Sequence, residues 1–415
     1  MSVIGNPLTV SVSAESALLV NAETGAILYK KKPHDLHYPA SLTKIGACLY
    51  VLEKKKNRLN EVVSCPPICL RRMHQESKAA RLYKDPAYLL EPDGTHFSIR
   101  PEERLKLKDL LFGMMIASGN DASNVVAYHV GRNIPTFMQE LNAYLEKLGC
   151  QQTLFLNPHG LHHPQHRTTA FDLAIIAREA LKNDVLCEIM QTKEYHRPKT
   201  NMQPVKTLHQ KNKLLREGKF FYPAAIGMKT GYTLKAGYTL AAAARKEGRT
   251  LIAILLNCPS SDQRFRDAIR LFDAAFEEEK IERLLFNSLE NVFERSLRGA
   301  KGVLKSRLAE DVSITYYPSE EPVVKIELDW QKLPLPIEVG TVVGELRILH
   351  ENETLLASHP LYATKRLEQT KYAFAKAVIS GTAEISLVGK LTLVAFLILG
   401  LGGVLYLIFK LQRKA

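Results

Sequence analysis

The chain has 415 residues, 46% of them apolar, enough to bury one large core and a second smaller one. Its formal net charge of +13 suits an anionic membrane surface or an acidic wall polymer. The same charge argues little for nucleic acid, because no zinc-ligand spacing, helix-turn-helix or basic-aromatic interleaving accompanies it.

In chain order, residues 15–30 read as two apolar strands around a turn at Glu23-Thr24-Gly25. Next comes Ser41-Leu42-Thr43-Lys44, with Leu42, Ile45, Leu49 and Leu52 at helical spacing. Ser41 is therefore predicted in the first turn of a helix, with Lys44 on the same face, where the amine can reach the hydroxyl. Such a base works only when neutral, so burial and a second cation must depress its pKa. Residues 65–94 are basic, carrying Arg71, Arg72, Lys78, Arg81 and Lys84, and are expected to shape one rim of a cleft. The apolar run Leu110 to Ile116 ends at Ser118-Gly119-Asn120, where Ser118 can shuttle a proton and Asn120 can hold a substrate amide.

Helical patterns follow at 134–148 and 170–182, and a strand is predicted through Lys229-Thr230-Gly231-Tyr232-Thr233. Gly231 removes a side chain where a substrate backbone must lie along the strand. Lys229, Thr230 and Thr233 offer a cation and hydroxyls for a carboxylate. The N–H groups of Ser41 and Tyr232 are the expected oxyanion donors. Two further strands, 238–245 and 250–257, surround Glu247-Gly248, and a helix at 262–279 packs back on the sheet. Strands at both ends with helices between them imply an α+β fold. Residues 282–364 shift to short alternating strands at 311–317, 323–328 and 342–349.

Each of the three motifs alone is a common solvated pattern. Their fixed order, each on the element its chemistry needs, describes a serine acyl-transfer site with lysine as base. With Pro39-Ala40, Asp121-Ala122, Asn157-Pro158-His159-Gly160-Leu161, Thr168-Thr169-Ala170-Phe171-Asp172 and Ala236-Gly237-Tyr238, the chain from about Glu15 to Leu361 resembles the low-molecular-mass penicillin-binding proteins that act as serine D-alanyl-D-alanine carboxypeptidases. The resemblance implies a penicillin-recognising, β-lactamase-like peptidase domain over 1–280 and a small all-β domain over 281–364. It implies Ser41 as nucleophile, Lys44 as base, Ser118 with Asn120 as the second catalytic element, and Lys229 as the electrostatic lysine. Arg264 would bind the terminal carboxylate, with Arg266 as its rival. The expected partners are a peptidoglycan stem peptide ending in D-Ala-D-Ala and β-lactams as covalent inhibitors, with no cofactor. Tyr232 stands where some members have histidine, which keeps the amide and loses an imidazole.

No Glu-x-x-Leu-Asn pattern lies between Asn120 and Lys229, so efficient β-lactam hydrolysis is disfavoured. The motifs do not separate a carboxypeptidase from a transpeptidase or endopeptidase, and a non-catalytic wall-binding scaffold is the reading from another class. Leu391 to Phe409 is nineteen residues without a charge, followed by Lys410, Arg413 and Lys414. That predicts a single transmembrane helix over 391–409, a cytoplasmic tail over 410–415 and the body on the extracytoplasmic face of the cell membrane. Residues 365–390 are then a linker or membrane-surface segment. Residues 1–7 do not make a secretory signal, so the natural start is expected upstream. Cys48 and Cys258 are expected as buried free thiols, with a Cys65–Cys69 pairing left open. His159, His162, His163 and His166 have a spacing that can bind metal, although the predicted chemistry needs none.

Overall fold

The computed structural model describes residues 6–350, 353–371 and 373. The described residues divide into two compact units, the first running to Lys280 and including Tyr317–Glu321, the second taking Ile281–Tyr316 and the described residues from Pro322 on.

In the first unit, β1 (Ser16–Asn21) and β2 (Ile27–Lys31) pair as the predicted hairpin. The Asn21 side-chain oxygen closes the turn by accepting from the N–H groups of Glu23 and Thr24. Then come α1 (Thr43–Lys55), β3 (Val62–Ser64), α2 (Gln75–Ala80), β4 (Arg104–Lys106), α3 (Leu107–Met115), α4 (Asn120–Gly131) and α5 (Ile134–Lys147). After them follow α6 (Ala170–Leu181), α7 (Asp184–Gln191), β5 (Glu194–Arg197), β6 (Lys206–His209), β7 (Ala225–Thr233), β8 (Gly237–Lys246), β9 (Arg249–Cys258) and α8 (Ser261–Phe276). The main sheet runs β2-β1-β9-β8-β7, antiparallel throughout, so strands from opposite ends of the unit meet at β1 and β9.

This sheet is buried on both faces, and the period of two sorts its residues. Leu18, Val20, Ala241, Ala243, Ile252, Ile254 and Leu256 join the core that contains α1 and α3 to α7. Ala17, Leu19, Leu240, Ala242, Leu251, Ala253 and Leu255 join the opposite core, where α8 contributes Phe265, Ala268, Leu271, Phe272 and Ala275. Helix α1 is buried from Thr43 to Leu52, including Lys44, as expected of a helix surrounded by other elements rather than lying on a surface. β7 is an edge strand, so one row of its backbone groups is left unpaired by the sheet.

The second unit contains β10 (Ile281–Phe286), β11 (Phe293–Ser296), β12 (Val303–Leu308), β13 (Val312–Tyr316), β14 (Val324–Trp330), β15 (Val342–His350) and β16 (Leu355–Ala363). β10 pairs with β13, and the rest form a sheet in the order β11-β12-β16-β15-β14. In β12, Leu304, Ser306 and Leu308 are buried while the residues between them are exposed, the alternation of a half-buried sheet. No helix among the described residues is long and apolar enough to cross a membrane. The predicted span, Leu391 to Phe409, lies outside the described residues.

Candidate active site

Ser41 lies in a 3-10 turn, Ala40–Leu42, immediately before α1, not in the first α-helical turn that the spacing predicted. Ala40 has φ +49°, so the backbone turns sharply there and the α-helix opens only at Thr43. Lys44 is fully buried, its Nζ 3.0 Å from Ser41 Oγ, 2.8 Å from Asn120 Oδ1 and 2.6 Å from the His159 carbonyl oxygen. Burial first, then the charges of Lys229 and Lys211, push its pKa well below the ordinary lysine value. A neutral amine has two protons, and Asn120 and His159 accept both, leaving the lone pair for the Ser41 hydroxyl. Ser118 Oγ is 3.0 Å from Ser41 Oγ and can donate to it.

The second motif is shaped by its backbone. Ser118 has φ +59°, and Gly119 caps α4, so Asn120 is the first helical residue. The Asn120 N–H donates to the Thr95 carbonyl, while Asp121 accepts from the N–H groups of Phe97, Ile99 and Ala122. Asn120 was expected to hold a substrate amide; its oxygen is committed to Lys44, and the residue also borders the cleft.

The third motif lies on β7, close against the serine. A Cβ at Gly231 would fall 2.9 Å from the Ser41 nitrogen and 2.4 Å from Thr239 Oγ1, so only glycine fits. Lys229 is 2% exposed, with Nζ donating to the Thr230 carbonyl, and its pKa is pushed down to about 7 by burial and by Lys211 and Arg264. Lys229 and Thr230 are thus buried at the strand, and it is Tyr232 and Thr233 that line the cleft. Tyr232 is 52% exposed and stacks on Tyr238. Arg264 is buried, and its Nη1 donates to the carbonyls of Gly231 (2.8 Å) and Thr239 (3.2 Å), tying α8 to β7 and β8. Arg264, the expected ligand of the terminal carboxylate, thus also braces the strand.

A cleft of about 410 Å3 opens at Ser41. Its rim from residues 65–94 presents Gln75, Glu76, Glu91 and Asp93, not the basic residues that composition suggested. Arg71 and Arg72 are exposed, Lys78 is buried in a salt bridge with Glu91 (2.9 Å), and Arg81 pairs with Asp85. The four histidines also separate. Leu161 N–H donates to His159 Nδ1, so His159 Nε2–H donates to the Tyr88 carbonyl. His166 is buried beneath Thr43, while His162 and His163 pack edge-on to Tyr83. Among the described residues no group of three or more His, Cys, Asp or Glu side chains could hold a metal ion. All six cysteines are free thiols, including Cys65 and Cys69. Lys211, whose charge reaches both buried lysines, carries no sequence signal that would have singled it out.

Residues 4–260 match the model of the peptidase S11 family, D-alanyl-D-alanine carboxypeptidase. Among curated proteins, the D-alanyl-D-alanine carboxypeptidase DacF of Bacillus subtilis is 28% identical over 365 residues, covering 86% of this chain and 87% of that protein. The D-alanyl-D-alanine carboxypeptidase DacA of Haemophilus influenzae is 28% identical over 341 residues, covering 81% of this chain and 80% of that protein. Among solved structures, the Streptomyces K15 DD-transpeptidase is 26% identical with a TM-score of 0.56, covering 64% of this chain and 98% of that one. Penicillin binding protein 5 of Haemophilus influenzae shares the fold at a TM-score of 0.59 and 24% identity, covering 88% and 100%. The three motifs meet at Ser41 on a fold shared over most of the chain's length, and the chain belongs to the D-alanyl-D-alanine carboxypeptidase family of serine peptidases.

Proposed function

We propose that this chain removes the terminal D-alanine from peptidoglycan stem peptides through an acyl-enzyme on Ser41, with Lys44 as its base. The observation that carries the assignment is the buried Lys44 amine 3.0 Å from Ser41 Oγ, whose other two contacts are neutral acceptors, so that in its neutral form the lone pair is left for the serine proton. The peptide would lie along the free edge of β7, with its terminal carboxylate toward the positive end formed by Lys229, Thr230 and Thr233. Arg264 adds charge there from behind the strand.

Ser41 Oγ attacks the carbonyl carbon of the penultimate residue as its proton passes to Lys44 Nζ. The oxyanion is held by the N–H groups of Ser41 and Tyr232. Ser118 relays a proton to the departing amine, the C–N bond breaks, and D-alanine leaves. Water then cleaves the ester and restores the Ser41 hydroxyl. A β-lactam follows the same first step, but its amine remains tethered to the acyl group.

The charge-free run Leu391 to Phe409 and the basic residues after it support a membrane anchor, with the catalytic unit on the extracytoplasmic face where this substrate lies. The test is mass spectrometry of the full chain incubated with a penicillin, and separately with a peptide ending in D-Ala-D-Ala. A persistent adduct on Ser41, lost in Ser41→Ala, together with release of one D-alanine is the expected result. An adduct without D-alanine release would move the reading to a transpeptidase, and an adduct surviving in Ser41→Ala would overturn the nucleophile.

A further inference from the structure

His166 belongs to none of the three motifs and does not line the cleft, yet it is buried 2.9 Å from Thr43 Oγ1, on the first residue of α1 directly after the turn that carries the serine. The protons of this contact can be placed. The Leu156 N–H donates to His166 Nδ1 (3.1 Å), so Nδ1 is an acceptor and the ring proton sits on Nε2. Nε2–H then donates to Thr43 Oγ1, and the Thr43 hydroxyl donates onward to the Ala40 carbonyl (2.9 Å). The reverse direction would put a second N–H against that of Leu156. Burial first, then the nearness of His163, His162 and Lys44, pushes the imidazole pKa down to about 3. Phe155 stacks on the ring at 5.1 Å and fixes its plane.

The chain of donors ends on a particular atom. The Ala40 carbonyl and the Ser41 N–H are two ends of one planar peptide unit, so fixing the direction of the oxygen fixes the direction of the N–H. That unit needs fixing, because Ala40 sits at φ +49°, a conformation unfavourable for a residue with a Cβ. We propose that His166, through Thr43, is a positioning residue of the oxyanion hole: it holds the Ala40–Ser41 peptide plane so that the Ser41 N–H points at the developing oxyanion. This rests on the reading of Ser41 as nucleophile.

The test compares Thr43→Val, which keeps the shape and removes the hydroxyl, with Thr43→Ser, which keeps the hydroxyl. His166→Phe, which keeps the stack and removes the donor, is compared with His166→Gln, whose amide can still donate. Each full-length variant is read for the acylation rate constant with a penicillin, for the preceding non-covalent affinity and for the affinity of a peptide boronic acid that forms a tetrahedral adduct. Removing an oxyanion donor outright costs roughly 100- to 1,000-fold. Misaiming one should cost about 10- to 100-fold in acylation and in boronate affinity together, with non-covalent affinity little changed. Thr43→Ser and His166→Gln should recover most of that loss. Acylation at the parent rate in Thr43→Val or His166→Phe would overturn the proposal, as would an equal loss in Thr43→Val and Thr43→Ser. The two positions are independent probes, so either serves where the other does not fold. Continued labelling of Ser41→Ala would instead sink the nucleophile assignment and the proposal with it.

Discussion

Gly160→Ala is the substitution whose effect can be worked furthest from the structure. Gly160 has φ +88°, and a Cβ built there would lie 1.8 Å from the Ala40 oxygen, 2.4 Å from the Ala40 carbonyl carbon and 2.9 Å from Thr43 Oγ1. Real Cβ contacts begin at about 3.0 Å, so the loop and the turn must part by at least about 1.2 Å. No side chain can rotate to relieve this, since the first two atoms are backbone. If the loop retreats, it draws the His159 carbonyl, now 2.6 Å from Lys44 Nζ, beyond hydrogen-bond reach. If the turn yields instead, the Ala40–Ser41 peptide rotates and the Ser41 N–H loses its aim. Either way a reacting group moves by about 1 Å, a displacement that costs roughly 100-fold in rate, or about 2.7 kcal/mol of barrier. The left-handed backbone adds about 1–2 kcal/mol of lost stability for a residue with a side chain. The assay is the time course of labelling by a fluorescent penicillin, read with a melting curve. Acylation at the parent rate with an unchanged melting temperature would refute the close approach of loop and turn.

Three other substitutions probe the charges. Asn120→Asp puts a carboxylate in place of the neutral acceptor 2.8 Å from Lys44 Nζ, which favours the protonated amine. Acylation should fall at neutral pH and recover as pH rises, and an unshifted pH profile of the acylation rate would count against Lys44 as base. Lys229 is pushed from 10.5 to about 7 in the folded chain, so between those values the unfolded chain binds a proton that the folded chain has released. Stability therefore rises with pH across that window, with the burial cost fully present below about 7, and Lys229→Met should raise the melting temperature at pH 6 by more than at pH 10. Glu103 is buried and accepts from Arg197, Thr200, Gln203 and the Arg100 N–H. Glu103→Leu leaves Arg197 buried without its carboxylate, at a cost of about 3–5 kcal/mol, read as a melting temperature lower by on the order of 10 °C.

The three motifs were legible because each couples a side-chain pattern to a local element. Ser41 and Lys44 are three apart near a helix start, Asn120 opens a helix, and Lys229 to Thr233 end a strand. The sheet was legible for a similar reason, since β1, β8 and β9 are apolar runs separated by turn residues. What failed lay in irregular backbone, where no period says which way a side chain points. The stretch from Cys65 to Gly94 is basic by composition, yet it turns Glu76, Glu91 and Asp93 to the cleft and buries Lys78 against Glu91. The four histidines are close in sequence, but the chain reverses at Gly160 and sends His159 to Tyr88 and His166 to Thr43. Arg264 fell where the resemblance placed it, but its bonds to Gly231 and Thr239 depend on the packing of α8 against the sheet.

A lysine base functions only where no carboxylate holds its proton, and the site is arranged to that end. The contacts of Lys44 Nζ are a hydroxyl, an amide oxygen and a backbone carbonyl, all neutral. Asp121 is the carboxylate among the influences on its pKa, and the least of the four. Its oxygens are occupied by the N–H groups of Phe97, Ile99 and Ala122, which spread its charge into the backbone and leave little of it for the amine. On the other side, Lys229 and Lys211 add like charge, so burial and repulsion act in the same direction. The acidic residues of the cleft lie at its rim, and one of them, Glu91, is already paired with Lys78. The arrangement costs the fold stability, because Lys44 is buried beside the like charges of Lys229 and Lys211, and in the proposed reaction that cost readies Lys44 to take the Ser41 proton at neutral pH.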